Sequence, residues 1–210
     1  MVKGIIFLSG GGNKEDSYLL DKEFAKYVKR KLLYIPIAIG TLEHPYNECF
    51  KWIKDVFKQF NFDNIEMWTD IRNKTIKDLK QFDAIYISGG NTFKLLKEIK
   101  DSRFDKLLIE FYNKEGHIYG GSAGAIILGK SIITASKNDK NEVKLKNLNG
   151  LNLCHGYSIW CHYNLKDDKE ILVLQKRERL RKIAALSEDA GLIIENKEIK
   201  AIGDGHIFFF

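Results

Sequence analysis

Residues 117–128 read HIYGGSAGAIIL, and this stretch decides the fold. The short apolar run His117-Ile118-Tyr119 leads into Gly120-Gly121-Ser122-Ala123-Gly124, which is followed at once by the apolar residues 125–128. An apolar run, a glycine-rich turn and an apolar helix start together predict a β-strand that turns sharply into an α-helix. The Gly-x-Ser-x-Gly motif therefore places Ser122 in the turn itself, at the carboxyl end of a strand.

Apolar runs before this stretch alternate with amphipathic patterns. Such alternation is typical of βαβ units that build a parallel sheet covered by helices on both faces. The predicted strands are residues 4–8, 31–37, 64–68, 84–87 and 117–119. The predicted helices are residues 17–30, 44–59, 92–99 and 103–114. The chain is therefore expected to be an α/β protein with a mainly parallel central sheet.

After residue 128 the pattern changes to short β-like pieces. These are residues 131–135, 158–162, 183–186, 192–194, 199–202 and 206–210, with one helix predicted over residues 168–181. Asn196-Lys197 lies between two apolar runs and predicts a hairpin turn, so the tail should add antiparallel strands to one edge of the sheet. Only two prolines occur and no linker-like stretch is present, which predicts one domain over residues 1–210.

Composition narrows the class of protein. Of the 210 residues, 44% are hydrophobic and 30% charged, which is ordinary for a globular protein. The net charge of +6 is scattered among acidic residues, so nucleic acid is not an expected partner, and no apolar run approaches the roughly 20 residues of a membrane span. Three cysteines are a small and odd number, so a disulfide framework is not expected. This favours a location in the cytoplasm.

Two Cys-His pairs, Cys154-His155 and Cys161-His162, raise the question of a metal site. Structural zinc sites usually space their paired ligands two to four residues apart, whereas these pairs are adjacent. We therefore expect no metal, and no organic cofactor either.

The turn at Ser122 carries the strongest chemical signal. Flanking glycines allow backbones to crowd around a strained turn, and the small Ala123 leaves its N–H free to face a reacting oxygen. The helix that follows adds partial positive charge beside any oxyanion. These features favour Ser122 as a nucleophile; a tightly packed turn or a phosphate-binding loop is the alternative.

Two other glycine loops follow predicted strands. Gly89 and Gly90 come directly after residues 84–87 and could present a backbone N–H to an oxyanion, while Asn91 could contact substrate or simply cap the next helix. Residues 9–12, Ser-Gly-Gly-Gly, invite comparison with dinucleotide-binding loops. The Gly-x-Gly-x-x-Gly spacing would need glycine at position 15, where Glu15 stands, so nucleotide binding is disfavoured.

A nucleophilic serine needs a general base and a group that orients it. His162 ends an apolar run and leads into a polar loop, which is a rigid position that can reach a cleft; His155 and His206 are the alternatives. Glu188 and Asp189 follow a short predicted strand and are the candidate carboxylates.

Three motifs taken together resemble the aspartyl dipeptidase (dipeptidase E) family of serine peptidases. That family includes cyanophycinase-like enzymes and lies within the class I glutamine amidotransferase-like superfamily. The motifs are residues 88–93 (SGGNTF), 120–125 (GGSAGA) and 160–163 (WCHY), in the same order and at similar spacing. The resemblance extends from the first glycine loop to Glu188.

The resemblance implies a three-layer α/β/α sandwich and a triad of Ser122, His162 and Glu188. Cys161 replaces the proline that precedes the family's histidine. The segment after the histidine is shorter than in the dipeptidases, and Lys169 stands about where the family has an arginine for an aspartyl side chain. Lysine lacks the bidentate fork of arginine, which weakens the expectation of aspartyl specificity.

We therefore expect a serine hydrolase that cleaves small peptides, dipeptidase-like, with an acidic N-terminal residue as one possible preference. Its oxyanion and substrate contacts are expected from Gly89, Gly90, Asn91, Ala123 and Lys169. A small peptide is the expected partner, and a monomer or homodimer the expected assembly. The alternatives are an α/β-hydrolase-like esterase that pairs Ser122 with His206, and a non-catalytic relative that binds a peptide or metabolite.

Overall fold

Strands and helices alternate along the first 128 residues, which confirms the predicted α/β class. The computed structural model describes residues 2–40 and 44–210. The strands are β1 (Ile5–Ser9), β2 (Leu32–Ile35), β3 (Ile65–Met67), β4 (Ala84–Ile87) and β5 (His117–Gly121). The helices are α1 (Tyr18–Ala25), α2 (Tyr46–Lys58), α3 (Ile76–Leu79), α4 (Thr92–Asp101), α5 (Phe104–Asn113) and α6 (Ala123–Leu128).

The second half is mostly short strands around one longer helix. The strands are β6 (Ser158–Trp160), β7 (Ile183–Leu186), β8 (Ala190–Glu195), β9 (Glu198–Gly203) and β10 (Ile207–Phe209). Helix α7 (Asp168–Arg177) lies between β6 and β7, and two 3₁₀ turns cover Ile133–Lys137 and Leu165–Asp167.

A seven-stranded sheet forms the centre of the protein, in the order β3-β2-β4-β5-β1-β8-β9. The first five strands of this order are parallel to one another. Strand β8 runs antiparallel to β1, and β9 runs antiparallel to β8. The predicted hairpin at Asn196-Lys197 connects these last two strands, so the antiparallel addition at one edge is confirmed.

Two local predictions about the chain were wrong, and one short helix was missed. The tail does not go to one edge only, because β10, β7 and β6 form a separate three-stranded sheet through long-range pairings. Residues 131–135 were expected as a strand, but a 3₁₀ turn forms there, and Thr134 Oγ1 donates to the carbonyl of Ile159 at 2.6 Å. Helix α3 was not predicted, since it has four residues and depends on a capping box between Thr75 and Asp78.

The strands place alternate side chains in two cores, one on each face of the sheet. Ile6 and Leu8 of β1 lie in the core covered by α4, α5 and α6, whereas Ile5 and Phe7 lie in the core covered by α1 and α2. This alternation follows from the two-residue period of a strand. Each fully buried side chain of this size contributes roughly 1.5 to 3 kcal/mol. The resulting helix, sheet and helix layers are the three-layer sandwich that was expected.

A third, smaller core lies under α7 and holds the second sheet, with Trp160, Ile171 and Ile183 among its buried residues. Among the described residues, none of the helices has the length and apolar character that a membrane crossing requires. The predicted single domain included residues 1 and 41–43, which lie outside the described residues, and it stays a prediction.

Candidate active site

Ser122 stands between β5 and α6 with an unusual backbone. Its φ is +49° and its ψ −109°, a combination that a residue with a side chain rarely adopts. The flanking glycines make room for it. A Cβ on Gly120 would come within 2.5 Å of the carbonyl carbon of Gly124, and one on Gly124 would collide with the carbonyl oxygen of Ile87. The motif glycines therefore permit the close packing that holds Ser122 in this conformation.

His162 follows β6 and meets Ser122 from the second sheet. Its backbone N–H donates to the carbonyl of Gly10 at 2.9 Å, which ties the histidine to the loop after β1. The Nε2 atom of its ring lies 2.8 Å from Oγ of Ser122. The structure thus brings Ser122 and His162, 40 residues apart in the chain, within hydrogen-bond distance.

Glu188 stands on the far side of the imidazole. Its Oε1 lies 2.8 Å from Nδ1 of His162. The neighbouring carboxylate, Asp189, is occupied elsewhere, because it accepts a hydrogen bond from Ser187 Oγ at 2.6 Å. This geometry accommodates the tautomer in which Nδ1–H donates to Glu188, leaving Nε2 able to accept the proton of the serine hydroxyl.

The glycine loop after β1 forms a wall against this pair of side chains. Gly11 has φ of +110°, and a Cβ on it would lie 2.6 Å from Nε2 of His162 and 3.0 Å from Cβ of Ser122. Only a glycine fits there without displacing the imidazole. Sequence reasoning considered this cluster for nucleotide binding and missed its place in the site. Its position after β1, hydrogen-bonded beside β5 in the sheet, was the available signal.

The loop after β4 supplies the opposite wall. A Cβ on Gly89 would lie 3.5 Å from Cβ of Ser122. Gly90 has φ of +110°, and a Cβ on it would lie 2.4 Å from the carbonyl oxygen of Ala38. Ala123 is buried at the first position of α6. Asn91 instead caps α4: its side chain accepts from the N–H of Lys94 and donates to the carbonyl of Lys140, both at 3.0 Å.

Three residues considered from the sequence do not reach the site. Lys169 is exposed on α7 and lines neither of the cavities that meet at Ser122. Helix α7 buries Ile171 and Leu174 against the third core, which leaves Lys169 facing solvent. His206 is exposed, with its ring near Phe208, and His155 lines a separate depression beside Arg179. Only His162, of the three histidines weighed as the base, contacts Ser122.

The cysteines do not form a ligand cluster. All three are free and buried, and burial raises the pKa of the Cys154 and Cys161 thiols. Cys161 lies behind Ser122, where its Sγ is 3.5 Å from the carbonyl oxygen of Ser122. Within residues 2–40 and 44–210, no three histidine, cysteine or acidic side chains are grouped as metal ligands.

Two cavities meet at Ser122. The larger, of about 400 Å³, is called the aromatic cavity here, and it is lined by Ser9, Gly11, Gly12, Ser17, Tyr34, Ile39, His44, Glu48, Cys49, Trp52, Tyr86, Ser88, Gly89, Gly121 and Ser122. The smaller, of about 310 Å³, is called the histidine-side cavity, and it is lined by Gly90, Ser122, Ile126, Thr134, Ala135, Asn138, Asp139, Cys161 and His162. The aromatic residues of the larger cavity were not among the sequence candidates.

A buried carboxyl group lies behind the aromatic cavity. Asp21 is 1% exposed and accepts a hydrogen bond at 2.7 Å from Ser17, which lines the cavity. Burial raises the pKa of Asp21 to about 6, against the opposing effect of the hydrogen bond from Ser17. The rings of Tyr86 and Tyr119 stack beside it with centroids 4.3 Å apart. A titratable group thus lies within the packing that supports the cavity.

Comparison with known proteins gives consistent similarities. The profile of peptidase family S51 matches residues 5–202. The uncharacterized peptidase Lmo0363 of Listeria monocytogenes is 33% identical over 142 residues, 65% of this chain and 68% of that protein. Peptidase E of Actinobacillus pleuropneumoniae is 27% identical over 72% of this chain, which spans slightly less than two thirds, 65%, of that relative. A crystal structure of a candidate peptidase E from Listeria monocytogenes EGD-e superposes with a TM-score of 0.72 at 26% identity, covering 96% of this chain and 98% of that one.

Proposed function

Because this chain belongs to peptidase family S51 and is a serine peptidase by that membership, we propose that it hydrolyses small peptides through a triad of Ser122, His162 and Glu188. The observation that carries the proposal is the unbroken chain of contacts, 2.8 Å from Ser122 Oγ to His162 Nε2 and 2.8 Å from His162 Nδ1 to Glu188 Oε1. Nucleophile, base and orienting carboxylate stand in the order that acyl transfer requires.

In this mechanism Ser122 Oγ attacks the scissile carbonyl carbon while Nε2 of His162 takes the hydroxyl proton. The tetrahedral intermediate collapses as the C–N bond breaks, and the same proton passes from His162 to the leaving amine. An ester joins Ser122 to the acyl residue. Water, deprotonated by His162, then attacks that ester and releases the carboxylic acid, with the proton returned to Ser122.

We assign the oxyanion to the space between the backbone N–H groups of Gly90 and Ala123. Ala123 begins α6, and N–H groups in the first turn of a helix have no partner within the helix. Gly90 lies on the loop after β4 with a φ of +110°, and it lines the histidine-side cavity together with Ser122. Fixed dipoles of this kind stabilise the developing charge without reorganising during the reaction.

The turn at Ser122 acts in this proposal as a nucleophile elbow. The serine's positive φ exposes its hydroxyl above the sheet, and the surrounding glycines hold the strained backbone in place. Strain of this kind persists where the surrounding structure determines it, and it clusters at reacting residues.

The size of the aromatic cavity favours a small substrate, since about 400 Å³ lies near the lower end of the roughly 300 to 1,000 Å³ of small-molecule pockets. The resemblance to dipeptidase E also implies a preference for an acidic N-terminal residue. That preference requires a cation beside the acyl side chain, and Lys169, which stands about where the family has an arginine, lies outside both cavities. We therefore propose dipeptidase chemistry without carrying over aspartyl selectivity.

The experiment is a dipeptide library, including Asp-X and isoaspartyl members, assayed with the wild type and Ser122→Ala. We expect hydrolysis by the wild type and a loss of roughly 10⁵- to 10⁶-fold in Ser122→Ala with an unchanged melting temperature. A fluorophosphonate should label Ser122 in the wild type only, whereas a non-catalytic binding relative would stay unlabelled. If His206→Ala, and not His162→Ala, abolished turnover, the esterase alternative would replace this proposal.

A further inference from the structure

We propose that the aromatic cavity receives the N-terminal residue of the substrate through an ammonium or guanidinium group, and that Glu48 is the residue that selects it. This inference rests on the proposed function, because it assigns the cavity to the acyl part of a peptide. It reverses the acidic preference that the resemblance implies, and it rests on four features: the cavity's position, its charge, its aromatic walls and the placement of α2.

The position of His162 decides which cavity holds which part of the substrate. The imidazole must protonate the leaving amine, so the leaving group lies on the side of His162. His162 lines the smaller cavity together with Ser122. The aromatic cavity opens from Ser122 on the other side, past Gly89 and Gly121. It is therefore the place for the acyl residue, which in a dipeptide is the N-terminal one.

At pH 7 the described lining residues of the aromatic cavity carry one formal negative charge, with His44 counted as neutral as in the net charge of the chain. Glu48 is the one acidic residue among its described lining residues, and none of those lining residues is a lysine or arginine. Residues 1 and 41–43, which the structure does not describe, include no lysine or arginine in the sequence either. Glu48 is exposed in the first turn of α2 and makes no ion pair with the described residues. Its carboxylate is open to a cation of the substrate.

The walls suit a cation as well. Trp52 is 37% exposed, and its ring lies edge-on to Tyr86 with centroids 6.2 Å apart. Glu48 and Trp52 are four residues apart on α2, so they lie on the same side of the helix. A guanidinium or ammonium group placed between them would meet a carboxylate and an aromatic face together.

An aspartyl side chain would meet the opposite environment. Its carboxylate would enter an aromatic cavity beside Glu48 and lose water, and the described lining residues include no lysine or arginine and only His44 as a group that protonation would make cationic. Desolvating an unpaired charge next to a like charge is unfavourable. The cavity therefore discriminates against acidic N-terminal residues.

The cation can come from two parts of the substrate, a Lys or Arg side chain or the free α-ammonium group. Four substrates distinguish them: Arg-Leu, Ala-Leu, Asp-Leu and Nα-acetyl-Arg-Leu. We would measure kcat/KM for each with the wild type, with Glu48→Gln and with Asp55→Asn, a matched control on an exposed residue of α2 outside the cavity lining.

We expect the wild type to prefer Arg-Leu over Asp-Leu by at least 100-fold and Glu48→Gln to reduce that ratio about 10-fold or more, with Asp55→Asn unchanged. If the side chain supplies the cation, Glu48→Gln still lowers kcat/KM for Nα-acetyl-Arg-Leu. If the α-ammonium supplies it, acetylation removes the effect of Glu48→Gln, that variant lowers kcat/KM for Ala-Leu and Arg-Leu equally, and the Arg-to-Asp ratio falls because the variant also removes the repulsion between Glu48 and the aspartyl carboxylate.

Calorimetry of Arg-Leu and Asp-Leu binding to Ser122→Ala, with and without Glu48→Gln, separates this inference from the proposed function, because binding needs no turnover. Arg-Leu should bind more tightly, and the difference should shrink with Glu48→Gln. A wild type that prefers Asp-Leu would overturn the inference, and so would a Glu48→Gln variant whose Arg-to-Asp ratio is unchanged in both kinetics and binding. If Arg-Leu bound selectively but the fluorophosphonate did not label Ser122 of the wild type, the proposed peptidase mechanism would be wrong instead.

Discussion

The Nδ1 atom of His162 lies 2.8 Å from Oε1 of Glu188, a glutamate whose side chain is 59% exposed. Water surrounds much of this carboxylate, so its electrostatic effect on the imidazole is screened. In the proposed triad its main contribution is therefore geometric: it holds the ring in the tautomer and orientation that keep Nε2 toward Ser122.

Glu188→Gln should lower kcat for the best dipeptide by about 10²- to 10⁴-fold, less than Ser122→Ala does. The glutamine amide can donate to Nδ1, which would favour the tautomer with the proton on Nε2 and block acceptance of the serine proton. Steady-state kinetics with both variants gives the comparison.

Asp189→Asn is the matched control for that substitution, because Asp189 is the adjacent carboxylate and its partner is Ser187. It should keep kcat within about threefold while reducing stability slightly through the weaker hydrogen bond. If Asp189→Asn were the more damaging of the two for kcat, the carboxylate in the proposed triad would be misassigned.

Gly11→Ala should reduce activity strongly while the protein still folds. The new Cβ would lie 2.6 Å from Nε2 of His162, so the ring must move away from Ser122. A shift of about 1 Å in a reacting group can cost roughly 100-fold in rate. The measurement is kcat/KM together with the melting temperature.

Gly156→Ala separates steric displacement from backbone strain. Gly156 also has a positive φ, +82°, but a Cβ there meets nothing within 4 Å. This variant should lose about 1 to 2 kcal/mol of stability from the left-handed backbone and keep its activity. Equal losses of activity in both glycine variants would show that strain, not contact with His162, is responsible.

Sequence reasoning succeeded where the signal was local. The glycines around Ser122 and the run after β4 are contiguous motifs, and the parallel sheet that joins them follows from the alternation of strands and helices. The local pattern favoured His162 over His155 and His206 without excluding them, and nothing local distinguished Glu188 from Asp189, so the triad as a set was assigned by resemblance. The distinction between these candidates depends on β6 and β7 pairing in the second sheet, which the apolar pattern of the tail did not reveal.

Other features needed tertiary packing. Lys169 was proposed from its position after His162, about where the family has an arginine, but the apolar residues of α7 turn that lysine outward. The aromatic cavity combines Tyr34, Tyr86 and Trp52 from three separate elements. Asp21 has the sequence context of an ordinary acidic residue near a helix start, and only contact with the sheet buries it.

Asp21→Asn should change how stability depends on pH. The folded pKa of about 6 lies above the unfolded value near 3.8, so the folded state holds this proton more tightly. Stability from this group is fully present below pH 3.8 and is lost as pH rises through about 6. A shift of about two pKa units corresponds to about 3 kcal/mol.

Urea unfolding at pH 4, 5, 6, 7 and 8 gives the test. The free energy of unfolding of Asp21→Asn, relative to that of the wild type, should rise by about 3 kcal/mol between pH 4 and pH 8. Most of this change should occur below pH 7. Ser122→Ala serves as the control, because its stability difference from the wild type should not vary with pH in this way. A pH-independent difference for Asp21→Asn would mean that the carboxyl group is not held in its raised-pKa state.

Lys169→Met should leave kcat/KM for Asp-Leu and Arg-Leu within about twofold of the wild type. The lysine is exposed on α7 and contributes to neither cavity, so its charge is screened from a bound substrate. A selective loss of more than about tenfold toward Asp-Leu would restore the lysine as the counterpart of the family's arginine.

Helix α2 supplies Glu48, Cys49 and Trp52 to the aromatic cavity, whereas Ser122 and His162 follow strands of two different sheets. The surface proposed to bind the acyl residue and the atoms proposed to break the bond thus belong to separate parts of the chain. Substitutions at positions 48 and 52 can therefore change the substrate selectivity without changing the residues proposed to carry out the reaction. In directed evolution, a library randomised at those two codons would sample new selectivities while the proposed catalytic residues stay unchanged.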